Sequence, residues 1–381
     1  MEPPGHSGYR YPVESQGRLA DVTQPLPLPS AQDGCLLLAD ITGYTSYLAG
    51  SELEHAQDVL ADLLETIIAG IEPPFELSKL EGDAAFAYVP TSVVSAPMLM
   101  DTIESTYFAF RRRLRDVRNA TTCDCDACVL IPSLDLKFFV HQGRYVIRRI
   151  ARSEELTGSD VVLVHRLLKG TAGLSVNGDA FAVYTKATLD AMEADPSVLG
   201  LTPHTETFDD IGDVDVFVEN LERRWVHEQE MERRFLTAES AQQELSGDLS
   251  AAPPEVWEWF TDPRRRLLWQ DGLTSLSEEV DGRRGTGTIN HCAHGVQLFT
   301  QRVVDWQPFT TFTTVDQIEG TPISLTATTT FEAVEGGTRV TGRWRADPPE
   351  AWPTVAEDLI PGMVASVEKL EKILTGELAL G

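Results

Sequence analysis

Basic side chains are scarce. The 381-residue chain carries 31 Lys and Arg against 59 Asp and Glu, a formal net charge of -28. Phosphate backbones need clustered Lys and Arg, so the imbalance excludes a broad nucleic-acid surface and disfavours an anionic membrane face. Long apolar runs are also missing: no stretch approaches the ~20 apolar residues of a membrane span. The opening segment, MEPPGHSGYRYPVE, has no basic stretch followed by an apolar core and does not read as a secretory signal. Cysteine is sparse and odd in number. Three of the five crowd into Cys123, Cys125 and Cys128, which is not a disulfide framework. A reducing cytoplasm is the expected compartment. No Walker A loop and no Gly-x-Ser-x-Gly elbow occurs.

What is present suits a globular chain, with 42% hydrophobic and 24% charged residues. Domains usually hold ~100–200 residues, so the length asks for two. Residues 1–30 are Pro-rich without apolar periodicity and read as a disordered tail. GCLLLAD (34–40) is a buried-strand run, and Ser51 to Glu54 form a capping-box pattern ahead of a helix that Pro73 and Pro74 end. FELSKL and AAFAYV flank Glu81-Gly82-Asp83 as a hairpin, and 97–118 read as a helix. LDLKFFVH and RYVIRRI are expected as two strands around Gln142-Gly143. A short helix at 158–170, strand AFAVY, helix KATLDAM and strand DVDVFVENL follow. This β-α-β-β-α-β order predicts a ferredoxin-like α+β domain over 31–221.

Residues 222–240 are expected as a charged helical linker to a second domain at 241–378. That domain opens with strand QQELSGDL and two short helices broken at Asp262-Pro263. Thr-, Val- and Phe-rich segments from 276 to 346 then read as an antiparallel meander, closed by the amphipathic PGMVASVEKLEKIL.

Two carboxylates stand out in the first domain. Asp40 closes an apolar strand, and Asp83 sits in a hairpin turn between two apolar strands. Adjacent strand-end carboxylates are one way to hold Mg²⁺, although an Asp at either place also serves as an ordinary turn residue. Loop 41–45 leads into a helix N-terminus, where backbone N–H groups can meet phosphate.

LLLADITGYT (36–45), KLEGDAAFAYV (79–89), LKFFVHQG (136–143) and GSDVVLVHRLL (158–168) together resemble, in order, the signature blocks of class III nucleotidyl (adenylyl/guanylyl) cyclases. The Cys-x-Cys-x-x-Cys loop and the His-Arg-Leu-Leu-Lys run suggest a bacterial branch apart from the well-studied enzymes. The resemblance implies that Asp40 and Asp83 hold Mg²⁺ (or Mn²⁺). It also implies that Ile41, Thr42, Gly43, Tyr44 and Thr45 form the phosphate loop. Lys79 and Glu155 match the purine-reading positions, and Arg166 matches the arginine that stabilises the transition state. Val162 occupies the position of the family's asparagine and cannot donate to developing charge; losing one such donor typically costs ~10²–10³ in rate. The implied reaction is ATP to cyclic AMP and pyrophosphate across a homodimer. For Lys79, Glu155 and Arg166 the plain alternative is surface charge.

Cys123, Cys125 and Cys128 offer three soft ligands for Zn²⁺, with Asp124, Asp126, His141 or a partner chain as a fourth; a solvated loop or a labile disulfide is the alternative. Residues from about 242 to 376 resemble the START-like, polyketide cyclase/dehydrase-like (SRPBCC) superfamily. The resemblance is carried by PPEVWEWFTDPRRRLLW and the long terminal helix, and it implies a helix-grip fold around a small hydrophobic ligand. Phe299, Phe309, Phe312 and Met363 either line such a cavity or fill a core, while Arg343 and Arg345 share a strand face. Two other readings stay open: a nucleotide-binding sensor without turnover, and a lipid- or polyketide-like ligand carrier with no enzymatic activity.

Overall fold

The structure, a computed structural model, describes residues 30–49, 53–120, 130–150, 153–176, 180–230, 233–279 and 283–379. The Pro-rich tail up to residue 29, the start of the capping box at Ser51 and Glu52, and Cys123, Cys125 and Cys128 lie outside them.

The first apolar run forms β1 (Gln32–Thr42), buried on both faces from Gly34 to Ala39, as an unbroken apolar strand requires. Then come α1 (Tyr44–Ala49), α2 (Leu53–Ile71), the hairpin β2 (Glu76–Glu81) and β3 (Ala84–Pro90), and α3 (Ala96–Ala120). They are followed by β4 (Asp135–Ile150), β5 (Ser153–Thr157), α4 (Ser159–Leu167), β6 (Phe181–Thr185) and α5 (Lys186–Ala191). Next are β7 (Thr202–Phe208), β8 (Gly212–Asn220) and α6 (Leu221–Glu230). The strands are ordered β2-β3-β1-β4-β6-β8-β7, with β5 hanging from β4; β4 and β6 run parallel and the other neighbours antiparallel.

Alternation along β1 divides the core. Leu37 and Ala39 face α2 and α3, meeting Leu63, Ile67, Ile103 and Tyr107. Leu36 and Leu38 face α4 with Phe86, Phe139, Val161 and Val164. Asp40 continues the second row, which fixes the face that its carboxyl serves.

Two first-half expectations differ from the structure. LDLKFFVH and RYVIRRI are one strand, β4, because Gln142-Gly143 stays in register with Cys35 and Gly34 of β1. Gly143 is needed for closeness, not for turning: a Cβ there would lie 2.5 Å from Asp160. Strand β7, TPHTETF, has too few apolar residues to announce itself; it pairs with β8 and buries Glu206. Of the expected linker helix, the structure shows Leu221–Glu230 as helix and residues 233–237 as non-helical.

The second sheet follows: β9 (Gln243–Leu249), α7 (Pro253–Thr261), α8 (Pro263–Trp269), β10 (Leu273–Glu279), β11 (Ile289–His294) and β12 (Gln297–Gln307). It is completed by β13 (Thr311–Ile318), β14 (Ser324–Val334), β15 (Gly337–Asp347) and α9 (Trp352–Leu374). The order β10-β11-β12-β13-β14-β15-β9 is antiparallel throughout, and α9 packs back on it, giving the helix-grip domain. The Asp262-Pro263 break works as expected, since the Asp262 carboxylate caps α8 by accepting from the Arg264 and Arg265 amides. The final helix begins earlier than PGMVASV suggests and runs through Pro361. No described helix is long and apolar enough to cross a membrane.

Ion pairs join the two halves. Arg283 and Arg284, just before β11, have side chains only 7% and 9% exposed. Arg284 donates to Asp101 of α3 at 2.8 Å and to Glu258 of α7. Arg283 binds Glu219 of β8 and lies 3.5 Å from Glu104 of α3, which also accepts from Arg224 at 2.9 Å. Asp101 accepts from the Trp257 indole as well, at 3.1 Å. Burial pushes the Asp101 carboxyl up despite Arg284. Burial also acts upward on Glu104, but Arg283 and Arg224 outweigh it and hold that carboxyl low. Removing one member of a buried pair strands its partners and typically costs ~3–5 kcal/mol. Arg284→Met should therefore lower stability by about that much in urea unfolding; a change below ~1 kcal/mol would show that the joint is not held by this pair.

Candidate functional site

The hairpin places the two predicted metal aspartates side by side. Asp40 is opposite Ala84 in the β1–β3 register, and the Ile41 amide donates to the Asp83 carbonyl at 3.3 Å. Gly82, at φ +69°, makes the turn that brings Asp83 back over β1. Both carboxylates are partly withdrawn from water, Asp40 with a side chain 14% exposed. Burial first, and then the charge of Asp40, raise the Asp83 carboxyl to about 6, with Lys137 acting in the opposite direction.

Lys137 escaped the sequence reading. It is the β4 residue directly across from Asp40, and its Nζ lies 2.9 Å from Asp40 Oδ2. In sequence it is a single cation in an apolar strand, and only the register shows what it faces. It also lines a cavity of about 440 Å³ with Thr42, Phe139, Leu167, Gly170 and Phe181. The loop on the far side of that cavity is pinned by Glu206, which accepts from the amides of Thr171 (2.6 Å) and Ala172 (2.5 Å).

The residues expected to form a phosphate loop differ in their surroundings. Ile41 is buried, and Thr42 reaches the cavity. Gly43 has φ +88° and sits where a Cβ would be 2.7 Å from the Ser133 carbonyl oxygen, so only glycine fits. Tyr44 and Thr45 open α1, which is six residues long.

The two residues expected to read a purine, Lys79 and Glu155, meet within one chain. Lys79 Nζ lies 3.2 Å from Glu155 Oε2 and 2.8 Å from Glu81 Oε1, while His165 Nε2 lies 3.0 Å from Glu81 Oε2. The hydrogen bond to Glu81 is the main reason that the Lys79 ammonium is held above its ordinary value. Lys79 is opposite Phe86, on the row that continues through Leu38. It therefore belongs to the same stretch of sheet as Asp40, two strands away. Arg166 is not part of this group; it pairs with Asp210 at 3.1 Å, with both side chains largely in solvent. Val162 is 53% exposed on α4. His141 is buried, with Nδ1 2.9 Å from Thr185 Oγ1 and Nε2 3.6 Å from Asp160.

Among the described residues, no three His, Cys, Asp or Glu side chains gather closely enough to hold a metal alone. Two carboxylates do fit a hard cation that keeps water and takes its remaining oxygens from phosphate, which is the usual habit of Mg²⁺. Burial and the charge of Asp40 both disfavour the ionised Asp83, and a cation beside the pair would act against the second of these.

In the second half, aromatic rings fill the interior. Trp257 meets Trp306, Phe309, Phe312 and Phe331 at centroid distances of 4.6 to 6.0 Å. The cavity beside them is about 20 Å³, room for about one water, and takes polar lining from Arg266, Glu278, Asn290 and Gln301. Phe309 and Phe312 thus belong to a packed core, Phe299 meets His294, and Met363 packs on the cluster of Leu325, Trp344 and Ala346. Arg343 binds Glu244 at 2.6 Å, and Arg345 is exposed.

The raised Asp83 carboxyl has a consequence for pH. The fold favours its neutral form, so its stabilising contribution is complete below the ordinary value of 3.8 and is lost as pH rises through about 6. Asp83→Asn, neutral throughout, should gain stability relative to the native chain as pH rises across that window. Urea unfolding at a series of pH values measures this, and a difference that does not change with pH would contradict the crowding.

Comparison with known proteins divides along the same line. A family model described as "Protein of unknown function (DUF2652)" matches residues 60–186, and "Polyketide cyclase / dehydrase and lipid transport" matches residues 241–375. Among solved structures, a bacterial light-regulated adenylyl cyclase is 14% identical, covering 51% of this chain and 53% of its own, with a TM-score of 0.40. This chain thus spans about half of that enzyme. Protein Ms6760 from Mycobacterium smegmatis is 20% identical, covering 36% of this chain and 91% of its own, with a TM-score of 0.31. Neither likeness carries chemistry to this chain. "Uncharacterized protein Rv2561/Rv2562" from Mycobacterium tuberculosis is 32% identical over 154 residues, 40% of this chain and 69% of the relative. On that match, the chain belongs to the family of the mycobacterial protein Rv2561/Rv2562.

Proposed function

We propose that the first domain binds a purine nucleoside triphosphate together with a divalent cation, and that a homodimer converts ATP to cyclic AMP and pyrophosphate. The observation that carries this reading is the pair Asp40 and Asp83, set side by side at a sheet end by the β1–β3 register, beside a cavity of about 440 Å³ lined by Thr42 and Lys137. A bound Mg²⁺ would supply charge neutralisation and Lewis acidity at the phosphates. Asp40 and Asp83 would hold it, Thr42 and Lys137 would face the phosphate chain, and the Lys79–Glu155 pair would read the base from the facing protomer. In a twofold arrangement the Lys79–Glu155 pair of one protomer would meet Asp40 and Asp83 of the other, beyond the part of the sheet that α4 covers.

A second reading has its own support. Lys79 is already held by Glu81 and Glu155, Arg166 by Asp210, and Val162 offers no donor. A chain whose purine and transition-state positions are neutralised in this way suits nucleotide binding without turnover. A hydrophobic ligand of the second domain, in either reading, would enter beneath the start of α9. There Trp352, Val355, Leu359 and Met363 are only partly buried, whereas the interior behind is filled.

Purified protein with ATP and Mn²⁺ or Mg²⁺ should yield cyclic AMP, and Asp40→Ala or Asp83→Ala should reduce the rate by at least ~10², the scale of losing one transition-state stabiliser. Metal-dependent ATP binding without product would favour the second reading, and product formation untouched by either substitution would exclude this site.

A further inference from the structure

Lys137 occupies ground that the proposed cation needs. Its Nζ is 2.9 Å from Asp40 Oδ2, at the geometry of a close charge-assisted contact, and its side chain is 22% exposed. The pairing is enforced by strand register, since Asp40 and Lys137 are directly opposed on β1 and β4. Lys137 contacts Asp40 directly, and its charge also acts on Asp83, drawing that carboxyl down against burial and Asp40. A divalent ion placed on Asp40 with Lys137 in this position would meet a like charge at close range in a half-dry setting, where repulsion is weakly screened. The same side chain lines the 440 Å³ cavity with Thr42, so it has somewhere to go.

We propose that Lys137 is a resident counter-cation of Asp40 that competes with the divalent ion, and that it swings to the phosphates of an incoming nucleotide when the ion takes its place. This rests on the reading of Asp40 and Asp83 as cation ligands and adds how their affinity is set. Metal and anionic ligand then bind cooperatively, because each relieves the obstacle to the other: the ion releases Lys137, and phosphate gives Lys137 a new partner. An ammonium on a four-carbon stem suits such a role, being a compact point charge that can exchange one oxygen partner for another without a fixed planar geometry.

The test is Mn²⁺ binding, followed by calorimetry and by electron paramagnetic resonance of the free ion, without nucleotide. The full-length native chain is compared with Lys137→Gln, Lys137→Arg and Asp83→Asn. Lys137→Gln should bind Mn²⁺ about tenfold or more tightly than the native chain, Lys137→Arg should remain as weak as the native chain, and Asp83→Asn should lose the site. Inorganic pyrophosphate, added without metal, should bind more weakly to Lys137→Gln than to the native chain. Equal Mn²⁺ affinity in native and Lys137→Gln chains, with Asp83 still required, overturns the competition and leaves the carboxylate site standing. Absence of Mn²⁺ binding in every chain, including Lys137→Gln, overturns the cation site and the competition together. A Mg²⁺ titration of the native chain, following the Lys137 side-chain ¹⁵N resonance, gives a reading that needs no folded variant. The resonance should shift as the ion saturates Asp40, and an unmoved resonance during saturation overturns the proposal.

Discussion

Charge taken out of water has to be answered by opposite charge, and the molecule depends on how that is done where its halves meet. Arg283 and Arg284 are buried against Asp101, Glu104, Glu219 and Glu258, with Arg224 closing the network. These carboxylates come from α3 and β8 on one side and α7 on the other. Closing the halves takes these charges out of water, and the pairs across the joint, Arg283 with Glu219 and Arg284 with Asp101, answer that cost. Such a joint fixes one arrangement of the halves, because hydrogen-bonded pairs tolerate little sliding. It also gives α3, a helix of the first core, a direct bond to the helix-grip domain.

The proposed site shows the opposite condition. Asp40 and Asp83 are brought together by β1 and a glycine turn, and among the described residues the cation facing them is Lys137. With both carboxylates ionised the local sum is one negative charge in excess, in a chain whose net charge is already -28. Any anionic ligand would approach against that field, so the account needs positive charge to arrive with it or to be released to meet it. The helix-grip domain, by contrast, has spent its interior on packing: rings around Trp257 leave about 20 Å³.

Much of this was legible in the sequence because its signals were local. The apolar run into Asp40, the Glu81-Gly82-Asp83 turn and the Asp262-Pro263 break each declare themselves within a few residues, and the α+β, two-domain organisation follows from their order. What the sequence did not show depends on register and long-range contact. Lys137 is unremarkable until β4 is laid against β1. Arg283 and Arg284 read as loop charge until α3 and α7 close over them. Gln142-Gly143 looked like a turn because glycine has two uses, and here Asp160 needed the space that a side chain would fill. Strand β7 was missed since its buried member is Glu206, held by backbone amides rather than by apolar neighbours.

Everything proposed for the first domain turns on Asp40 and Asp83 as the cation seat of a nucleotide site. The most direct measurement is a crystal structure with a non-hydrolysable ATP analogue and Mn²⁺, read by anomalous scattering at the manganese edge. The account predicts a peak bonded to both carboxylates at roughly 2.0–2.3 Å, with the triphosphate beside it and Lys137 turned from Asp40 toward a phosphate oxygen. An analogue bound elsewhere, or a peak absent from these two residues while Lys137 keeps its pairing, would contradict it.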